Sequence, residues 1–443
     1  MQKNHMSFGD TLGLGFMTFA FFLGAGNLIF PPFAGMLAGE NMLPAMIGFL
    51  FTAVGMPLIG LIAVAKSNGK VMGLLPPFVA AALAIAIYLI IGPAFAAPRT
   101  SLVAFEIGAR PFLSNPDTMI SLGSISLNLS QLIYTLFFFA VTMLLSIFPG
   151  KLLDSVGKIL TPVLLFLLLG LAFSVLLFPG AEVSAPVGEY ATSPLVKGIL
   201  EGYNTMDTLA SVIFGMLIID ILRKKGVTES TAQTRYLVRA AFIAAGGLAF
   251  VYLSLFYLGA IAGDVAKGAE NGGQILTKYV TSEFGFTGVI LLGSVVTLAC
   301  LTTAIGLVTA CAEYFNELLP KISYRLWVVI MTVICALVAN LGLSELISIS
   351  IPVLVTIYPV VIALVGMTYL TEKLSSPALS QKIVLSVALL FGIVDGLKAA
   401  GIDMSWMNFM PLYKEGMAWL LPTFIAVVLC FFIKKAPEAK LSH

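Results

Sequence analysis

The chain has 443 residues, of which 59% are hydrophobic and only 10% are charged, and its mean hydropathy is +1.03. Soluble domains carry about 25% charged residues, so the composition excludes a soluble protein and indicates a polytopic membrane protein. The net charge of +2 is too small to indicate a nucleic-acid partner. The only histidines, His5 and His443, lie near the two ends, which excludes a histidine metal site or proton relay inside the membrane.

Twelve segments of the chain are apolar and long enough to cross a lipid bilayer, which takes about 20 residues. The fold class predicted from them is an all-α polytopic membrane protein with about twelve transmembrane helices. The predicted spans are roughly 11–36, 42–65, 77–107, 130–148, 156–178, 196–222, 233–262, 286–316, 326–342, 346–370, 382–400 and 416–433.

The distribution of basic residues predicts the orientation of these helices. If the chain starts in the cytoplasm, 17 of the 24 Lys and Arg residues fall on the cytoplasmic side, including the run Arg223-Lys224-Lys225. Cytoplasmic loops of membrane proteins are enriched in Lys and Arg. We therefore predict that both termini are cytoplasmic.

Two of the predicted spans are interrupted at membrane depth. Residues 18–35 read TFAFFLGAGNLIFPPFAG and are interrupted by Gly24-Ala25-Gly26-Asn27. The sixth span contains the polar, poorly helical stretch LEGYNTMDT at residues 200–208. Unpaired backbone groups are costly in lipid, and secondary transporters build their binding sites from discontinuous helices. The two interruptions therefore predict a binding site between broken helices.

The positions of the interruptions predict an inverted repeat within a single transporter domain that spans residues 1–443. The interrupted spans lie five helices apart, and because five is odd, the second half enters the membrane in the opposite direction. We predict a first repeat over 11–178, a second over 196–370 and two additional helices over 382–433. The match between the halves lies in hydropathy and break position alone.

Several strings resemble a known family, namely GFMTFAFFLGAGNLIFPP, GPAFAAPRTSLVAFE, PGKLLDSVGK, CAEYF, NLGLSELISISIPVLVTIYP and FGIVDGLKA. They resemble the bacterial branched-chain amino acid:cation symporters, the LIVCS family, over about residues 6 to 433. That family is similar to the amino acid–polyamine–cation superfamily with the LeuT-type fold. The resemblance implies import of leucine, isoleucine and valine across the bacterial cytoplasmic membrane, driven by Na⁺ or, in some members, by H⁺.

The first interruption could bind the carboxylate of an amino acid. Gly24, Ala25 and Gly26 supply backbone N–H groups without bulk, at the positive dipole end of a half-helix. The alternative is that these small residues only allow close helix packing.

The resemblance also implies a sodium site between the first and eighth spans. In the eighth span, Ala299, Thr302 and Thr303 fit the superfamily pattern of one small and two hydroxyl residues, and positions i, i+3 and i+4 share a helix face. The matching carbonyl positions in the first span are Ala20 and Leu23. Alternatively, the threonines bond to carbonyls of their own helix. Asn27 matches an asparagine that binds another sodium in some LeuT-type symporters, or it caps the resumed helix.

Asp207 is an acidic residue at the second interruption, and a carboxylate at this depth is a functional candidate. It could contact the substrate ammonium, take part in cation coupling, or cap the half-helix that starts at Thr208. Tyr203 and Asn204 are predicted neighbours of the substrate.

The remaining substrate candidates are aromatic. Tyr88 occupies the third span, where a tyrosine of LeuT-type proteins points its hydroxyl at the substrate carboxylate, although a core position is equally compatible. Phe21, Phe22 and Phe214 are expected to form the wall around the substrate side chain, although phenylalanines in membrane helices are usually plain packing.

The third span also contains Arg99 and Glu106, two turns apart, for which we predict structural pairing, since an unpaired arginine is costly at the bilayer centre. Pro93 and Pro98 are expected to kink this span. Glu313 ends the eighth span near the cytoplasm, as a gate or a solvated contact.

We therefore predict a symporter that imports leucine, isoleucine or valine with Na⁺ by alternating access, with no cofactor and no partner besides substrate, ion and lipid bilayer. The alternatives are a proton-coupled transporter, for which Asp207 is available, or a transporter of another neutral amino acid. An integral-membrane enzyme is disfavoured because no catalytic cluster of His, Cys or paired acids is visible. A channel is disfavoured because it would have a polar-lined pore.

Overall fold

The structure is a computed structural model, which describes residues 5–122, 125–148, 156, 158–159, 161–177, 183–263 and 265–433. Most of the string PGKLLDSVGK lies outside the described residues, as do positions 157, 160 and 178 of the predicted fifth span. Five of the 17 basic residues predicted to be cytoplasmic also lie outside them, namely Lys3, Lys151, Lys434, Lys435 and Lys440.

The first half of the chain consists of helices and one short hairpin. Their bounds are α1 (Phe8–Phe22), α2 (Ala25–Ala38), α3 (Met42–Leu50), α4 (Met56–Lys66), α5 (Pro77–Leu89), α6 (Ala96–Gly108), β1 (Met119–Leu122), β2 (Ile125–Asn128), α7 (Leu129–Ser146) and α8 (Thr161–Leu177). The antiparallel pair β1–β2 was not predicted.

The described part of the second half of the chain consists of helices. Its bounds are α9 (Glu189–Thr192), α10 (Pro194–Tyr203), α11 (Asp207–Lys224), α12 (Ser230–Ile261), α13 (Gly272–Leu318), α14 (Tyr324–Val338), α15 (Leu343–Leu370), α16 (Pro377–Ala399) and α17 (Leu420–Cys430).

The all-α fold class is confirmed. Within the described chain, eight helical segments are long and apolar enough to cross a membrane, or nine if α10 and α11, which meet at a bend of 41°, form one span. Helices α1 and α17 are apolar but shorter. The count of twelve spans therefore stays a prediction.

The third span contains the kink that was predicted from its prolines. A turn of π-helix over Ile90–Ala94 separates α5 from α6, and within it Gly92 has the non-helical ψ of −116° next to Pro93. Pro98 instead lies in the first turn of α6, where a proline costs no intrahelical hydrogen bond. The kink therefore comes from Gly92 and Pro93, and α6 starts afresh three residues before Arg99.

The interior of the bundle is formed mainly by α1, α2, α6, α11, α12 and α13, whose residues are largely buried. Helix α2 packs against α12 through glycines: a Cβ atom at Gly35 would collide with the Phe256 carbonyl, and one at Gly259 with the Pro32 carbonyl. Small residues allow such close backbone contact between membrane helices. Outer helices instead expose large apolar side chains, such as Phe166 (76% exposed) and Leu337 (70%), as expected for a lipid-facing surface.

The predicted pairing of Arg99 with Glu106 is wrong. Glu106 forms its ion pair with Arg110 at 2.8 Å, and Arg110 also contacts Asp117 at 2.9 Å. Seven residues of helix span about 10 Å, whereas Arg110 lies one turn from Glu106 on the same face. Arg99 therefore has a different environment, described below.

Charged groups near the predicted cytoplasmic side form ion pairs with one another. Lys224 contacts Glu313 at 2.5 Å, and Lys158 contacts Asp10 at 2.5 Å. Glu313 is thus part of an ion pair between α11 and α13.

Near the C-terminus, α16 anchors the loop that follows it. The buried carboxylate of Asp395 accepts the backbone N–H groups of Ala418 and Trp419, both at 3.2 Å. One turn further on, the Lys398 ammonium donates to the carbonyls of Tyr413 (2.8 Å) and Lys414 (2.7 Å). This explains the polar DGLK segment within the string FGIVDGLKA: its charged side chains fix the loop between α16 and α17.

We predict that Asp395→Ala destabilises the protein, because it leaves two buried N–H groups unpaired, at about 1–3 kcal/mol each. The melting temperature of the purified protein in detergent should fall by several degrees. Asp403→Ala is the matched control. Asp403 also accepts a backbone N–H, from Ser405 at 2.9 Å, which lowers the pKa of Asp403, but it is exposed and water can replace it. Equal melting temperatures for the two variants would contradict the anchoring role.

Candidate functional site

The first helix break lies at Leu23 and Gly24, slightly earlier than predicted, and Ala25, Gly26 and Asn27 form the first turn of α2. In a continuous helix the Gly24 N–H would bond to the Ala20 carbonyl. Here it donates to the Phe22 carbonyl (2.7 Å) and to the side-chain oxygen of Asn27 (3.1 Å). The break therefore frees the Ala20 carbonyl for another partner.

The freed Ala20 carbonyl is bound by two threonines of α13. Thr303 Oγ1 donates to it at 3.0 Å and Thr302 Oγ1 lies 3.3 Å away. Thr302 also donates to the Ala299 carbonyl of its own helix at 2.9 Å. The alternative that these threonines bond within their own helix therefore holds in part for Thr302. Gly24 allows this approach, because a Cβ there would lie only 2.8 Å from Thr303 Cγ2.

The result is a buried group of neutral oxygens between α1 and α13. Ala20, Ala299 and Thr302 are fully buried, as is Leu23 at the end of α1. Among the described residues, no three His, Cys, Asp or Glu side chains come close enough to hold a metal ion. A cation bound here would be held by carbonyl and hydroxyl oxygens, the ligands that hard cations prefer.

The second helix break lies between α10 and α11. Residues 204–206 are not helical, and Met206 adopts left-handed backbone angles (φ 65°, ψ 11°). Such angles are uncommon for a residue other than glycine, asparagine or aspartate, and strained backbone of this kind clusters at functional sites. The break places Thr205, Met206 and Asp207 against the start of α2.

A hydrogen-bond cluster joins the two breaks. The Asp207 carboxylate accepts from the Asn27 side-chain amide (2.6 Å) and from the Tyr252 hydroxyl of α12 (2.6 Å). The Asn27 amide also contacts the Tyr252 hydroxyl. Since the other end of the Asn27 side chain holds the Gly24 N–H, Asn27 caps its own break and reaches across to the second one. These two bonds of the Asp207 carboxylate go to side chains and not to a backbone N–H of α11, so they do not support capping, one of the three roles considered for it.

Between the breaks lies a small cavity with about 20 Å³ of free space, which is room for roughly one water molecule. Four elements contribute its walls: the first broken span, the third span, the second broken span and α13. The lining residues are Phe21, Phe22, Gly24, Ala25, Gly26, Asn27, Ile91, Ala96, Arg99, Thr100, Thr205, Met206, Asp207, Ala210, Phe214, Thr303 and Leu307.

One side of the cavity is aromatic. The Phe214 ring packs against Phe21 at a centroid distance of 5.3 Å and against Phe22 edge-on at 5.2 Å. All three rings are buried. The structure thus gathers the three phenylalanines expected around an apolar side chain.

Three of the residues predicted to contact the substrate do not line the cavity. Tyr88 precedes the kink and stacks on Tyr314 at a centroid distance of 4.0 Å. Helix α6, which follows the kink, lines the cavity instead. Tyr203 stacks on Tyr358 at 4.3 Å, and the Asn204 amide donates to Glu201 at 3.0 Å. Both of these side chains are satisfied by other partners.

Two residues at the site were missed or misplaced by sequence reasoning. Tyr252 lies in a long apolar helix, and no sequence pattern indicates that it contacts Asp207, which is 45 residues away. Arg99 was predicted to form an ion pair with Glu106, although its position at membrane depth after Gly92-Pro93 makes it a functional candidate.

Two broken helices that meet around a buried cavity, in a bundle of apolar helices, define a membrane transporter of the LeuT-type fold. The chain belongs to the family described as branched-chain amino acid transport protein, whose family model matches residues 7–437.

Curated relatives match nearly the whole chain. It is 48% identical over 434 residues to the branched-chain amino acid transport system 2 carrier protein of Pseudomonas aeruginosa, covering 96% of each chain. It is 40% identical over 441 residues to the branched-chain amino acid permease BraB of Bacillus subtilis, covering 98% of this chain and 97% of the permease.

Solved structures share the fold at low sequence identity. The chain matches MhsT in complex with L-phenylalanine with a TM-score of 0.52 and 18% identity, covering 96% of this chain and 98% of MhsT. It matches a Na⁺-coupled sialic acid symporter in a substrate-bound outward-open state with a TM-score of 0.56 and 11% identity, covering 96% and 90% of the two chains. These likenesses establish the architecture.

We predict that Asp207→Ala destabilises the protein more than Tyr252→Phe does. The first change leaves the Asn27 amide and the Tyr252 hydroxyl without their common acceptor, at about 1–3 kcal/mol for each buried group. The second removes one hydroxyl donor and leaves the carboxylate bonded to Asn27. Thermal unfolding of both variants in detergent measures the difference, and the reverse order would show that the cluster does not hold the breaks together.

Proposed function

We propose that the protein imports branched-chain amino acids together with Na⁺ by alternating access. The observation that carries the proposal is the convergence of Thr302 and Thr303 on the Ala20 carbonyl, at the break of the first span. This geometry suits a cation that links α1 to α13. The curated relatives, named as branched-chain amino acid carriers and permeases, support the choice of substrate.

The cation site would consist of the Ala20, Leu23 and Ala299 carbonyls and the Thr302 and Thr303 hydroxyls. In the structure the hydroxyls donate to carbonyls. A bound Na⁺ would turn both hydroxyl oxygens toward itself and replace these bonds. Neutral ligands make such a site weak, as an exchangeable coupling ion requires.

The substrate would occupy the cavity between the breaks. The start of α2 presents N–H groups that suit a carboxylate, and the three phenylalanines present an apolar wall for a branched side chain. Leucine is several times larger than the water-sized space, so the cavity must widen for the substrate to enter. That requirement supports a mechanism in which helices move at the breaks.

The driving force follows from the membrane potential. One Na⁺ moving inward gains about 2.3 kcal/mol per 100 mV, in addition to its concentration gradient. We propose that the first two spans of each repeat rock against the third and fourth, with substrate and ion held between them.

We expect leucine uptake into proteoliposomes to require an inward Na⁺ gradient, and Thr302→Ala with Thr303→Ala to reduce it at least about tenfold. The double variant removes both side-chain ligands of the cation. The measurement is the initial rate of labelled leucine uptake at several Na⁺ concentrations, and the apparent Na⁺ affinity should fall.

Thr309→Ala is the matched control, because Thr309 is a buried threonine of the same helix that does not contact Ala20. Unchanged uptake and Na⁺ dependence in the double variant would reject the cation site. Uptake driven by a pH gradient without Na⁺ would favour the proton-coupled alternative through Asp207. Competition by isoleucine and valine, but not by unrelated neutral amino acids, tests the substrate class.

A further inference from the structure

Among the residues that the structure describes, no acidic side chain is hydrogen-bonded to Arg99, which is a buried cation. Its side chain lines the cavity and is only 3% exposed. Nε and Nη1 have no hydrogen-bond partner in the part of the chain that the structure describes. The guanidinium lies over the Phe30 ring, with its carbon 5.3 Å from the ring centre. Buried charged groups are normally paired, so this arrangement requires an explanation.

The guanidinium faces the start of α2. A Cβ atom at Gly26 would lie 2.6 Å from Arg99 Nη2 and 3.2 Å from the Asn204 carbonyl. Arg99 therefore sits beside the first turn of α2, whose N–H groups carry partial positive charge. Two positive groups facing one buried cavity repel each other unless an anion lies between them.

The acidic residue of the cavity does not fill this role. Asp207 lies within range of a direct Coulomb interaction with Arg99, but it forms no ion pair with it at hydrogen-bond distance. The Asp207 carboxylate is already bonded to Asn27 and Tyr252. The donors of Arg99 are therefore left for an anion that enters from outside.

We propose that Arg99 binds the α-carboxylate of the transported amino acid, opposite the N–H groups at the start of α2. A guanidinium holds a carboxylate through two parallel hydrogen bonds. Nη2, which faces Gly26, can form such a pair together with Nε or with Nη1, and both of these are buried and without a hydrogen-bond partner among the described residues. The inference rests on the proposed function and adds a residue to the substrate site. Arg99 makes the contact with the substrate carboxylate that the resemblance implied for Tyr88.

The test compares leucine with leucinol, which has the same side chain and ammonium but a hydroxymethyl group in place of the carboxylate. Binding is measured by thermal stabilisation of the purified protein in Na⁺ buffer. The wild type should bind leucine about 100-fold more tightly than leucinol. Arg99→Gln should weaken leucine binding about 100-fold and change leucinol binding less than threefold. Arg99→Lys, which keeps the charge, should lose about tenfold for leucine.

Arg110→Gln is the control, since Arg110 lies after the end of α6 and bonds to Glu106 and Asp117. If Arg99→Gln is not monodisperse in detergent, Gly26→Ala takes its place. The added methyl group pushes directly on the guanidinium and should weaken leucine binding without a comparable effect on leucinol.

The proposal would be overturned by leucine binding in Arg99→Gln within threefold of wild type, by an equal loss of leucine and leucinol binding, or by recovery of leucine binding in Arg99→Gln with Asp207→Asn. The last would show that Arg99 only balances the charge of Asp207. A chloride requirement for leucine binding that disappears in Arg99→Gln would identify chloride as the anion and also overturn it. Wild-type protein that binds no leucine at all would instead reject the proposed function.

Discussion

The hydrogen bonds from Asn27 to both helix breaks are the interaction on which the site depends. Opening a helix inside a membrane leaves N–H and C=O groups unpaired, and lipid cannot satisfy them. Here the Asn27 side-chain oxygen accepts a hydrogen bond from the Gly24 N–H, and the Asn27 side-chain amide donates one to the Asp207 carboxylate. One short side chain thereby stabilises the first break and holds the second beside it.

The same break accounts for the rest of the cavity. Withdrawal of the Gly24 N–H frees the Ala20 carbonyl, and Thr303 and Thr302 from α13 bond to it. On the other side of Gly24, the resumed helix α2 directs its positive end toward the cavity, where Arg99 adds a full charge. In the proposed function, the cation position and the anion position therefore lie on opposite sides of one interruption. Their closeness gives a physical route for coupling, because filling either position reduces the electrostatic cost of filling the other.

The sequence predicts the fold class and the two interruptions well, because glycines and polar residues at membrane depth are visible in the local pattern. The approach of Thr302 and Thr303 to Ala20 followed from the family resemblance and from their shared helix face. Tyr252 could not be predicted, because it meets Asp207 and Asn27 from 45 and 225 residues away. Arg99 was misassigned because the kink at Gly92 sets its direction, and the sequence shows that a kink occurs but not where it turns the helix.

The central claim is that substrate and cation share the space between the two breaks. Its most direct test is the rate at which a thiol reagent modifies Ala25→Cys in membrane vesicles. Ala25 lines the cavity, which must open during transport, and none of the four native cysteines is among the residues that line it. The account predicts that leucine with Na⁺ slows the reaction at least about fivefold, and that either one alone slows it much less. A rate that does not respond to leucine and Na⁺ together would contradict it.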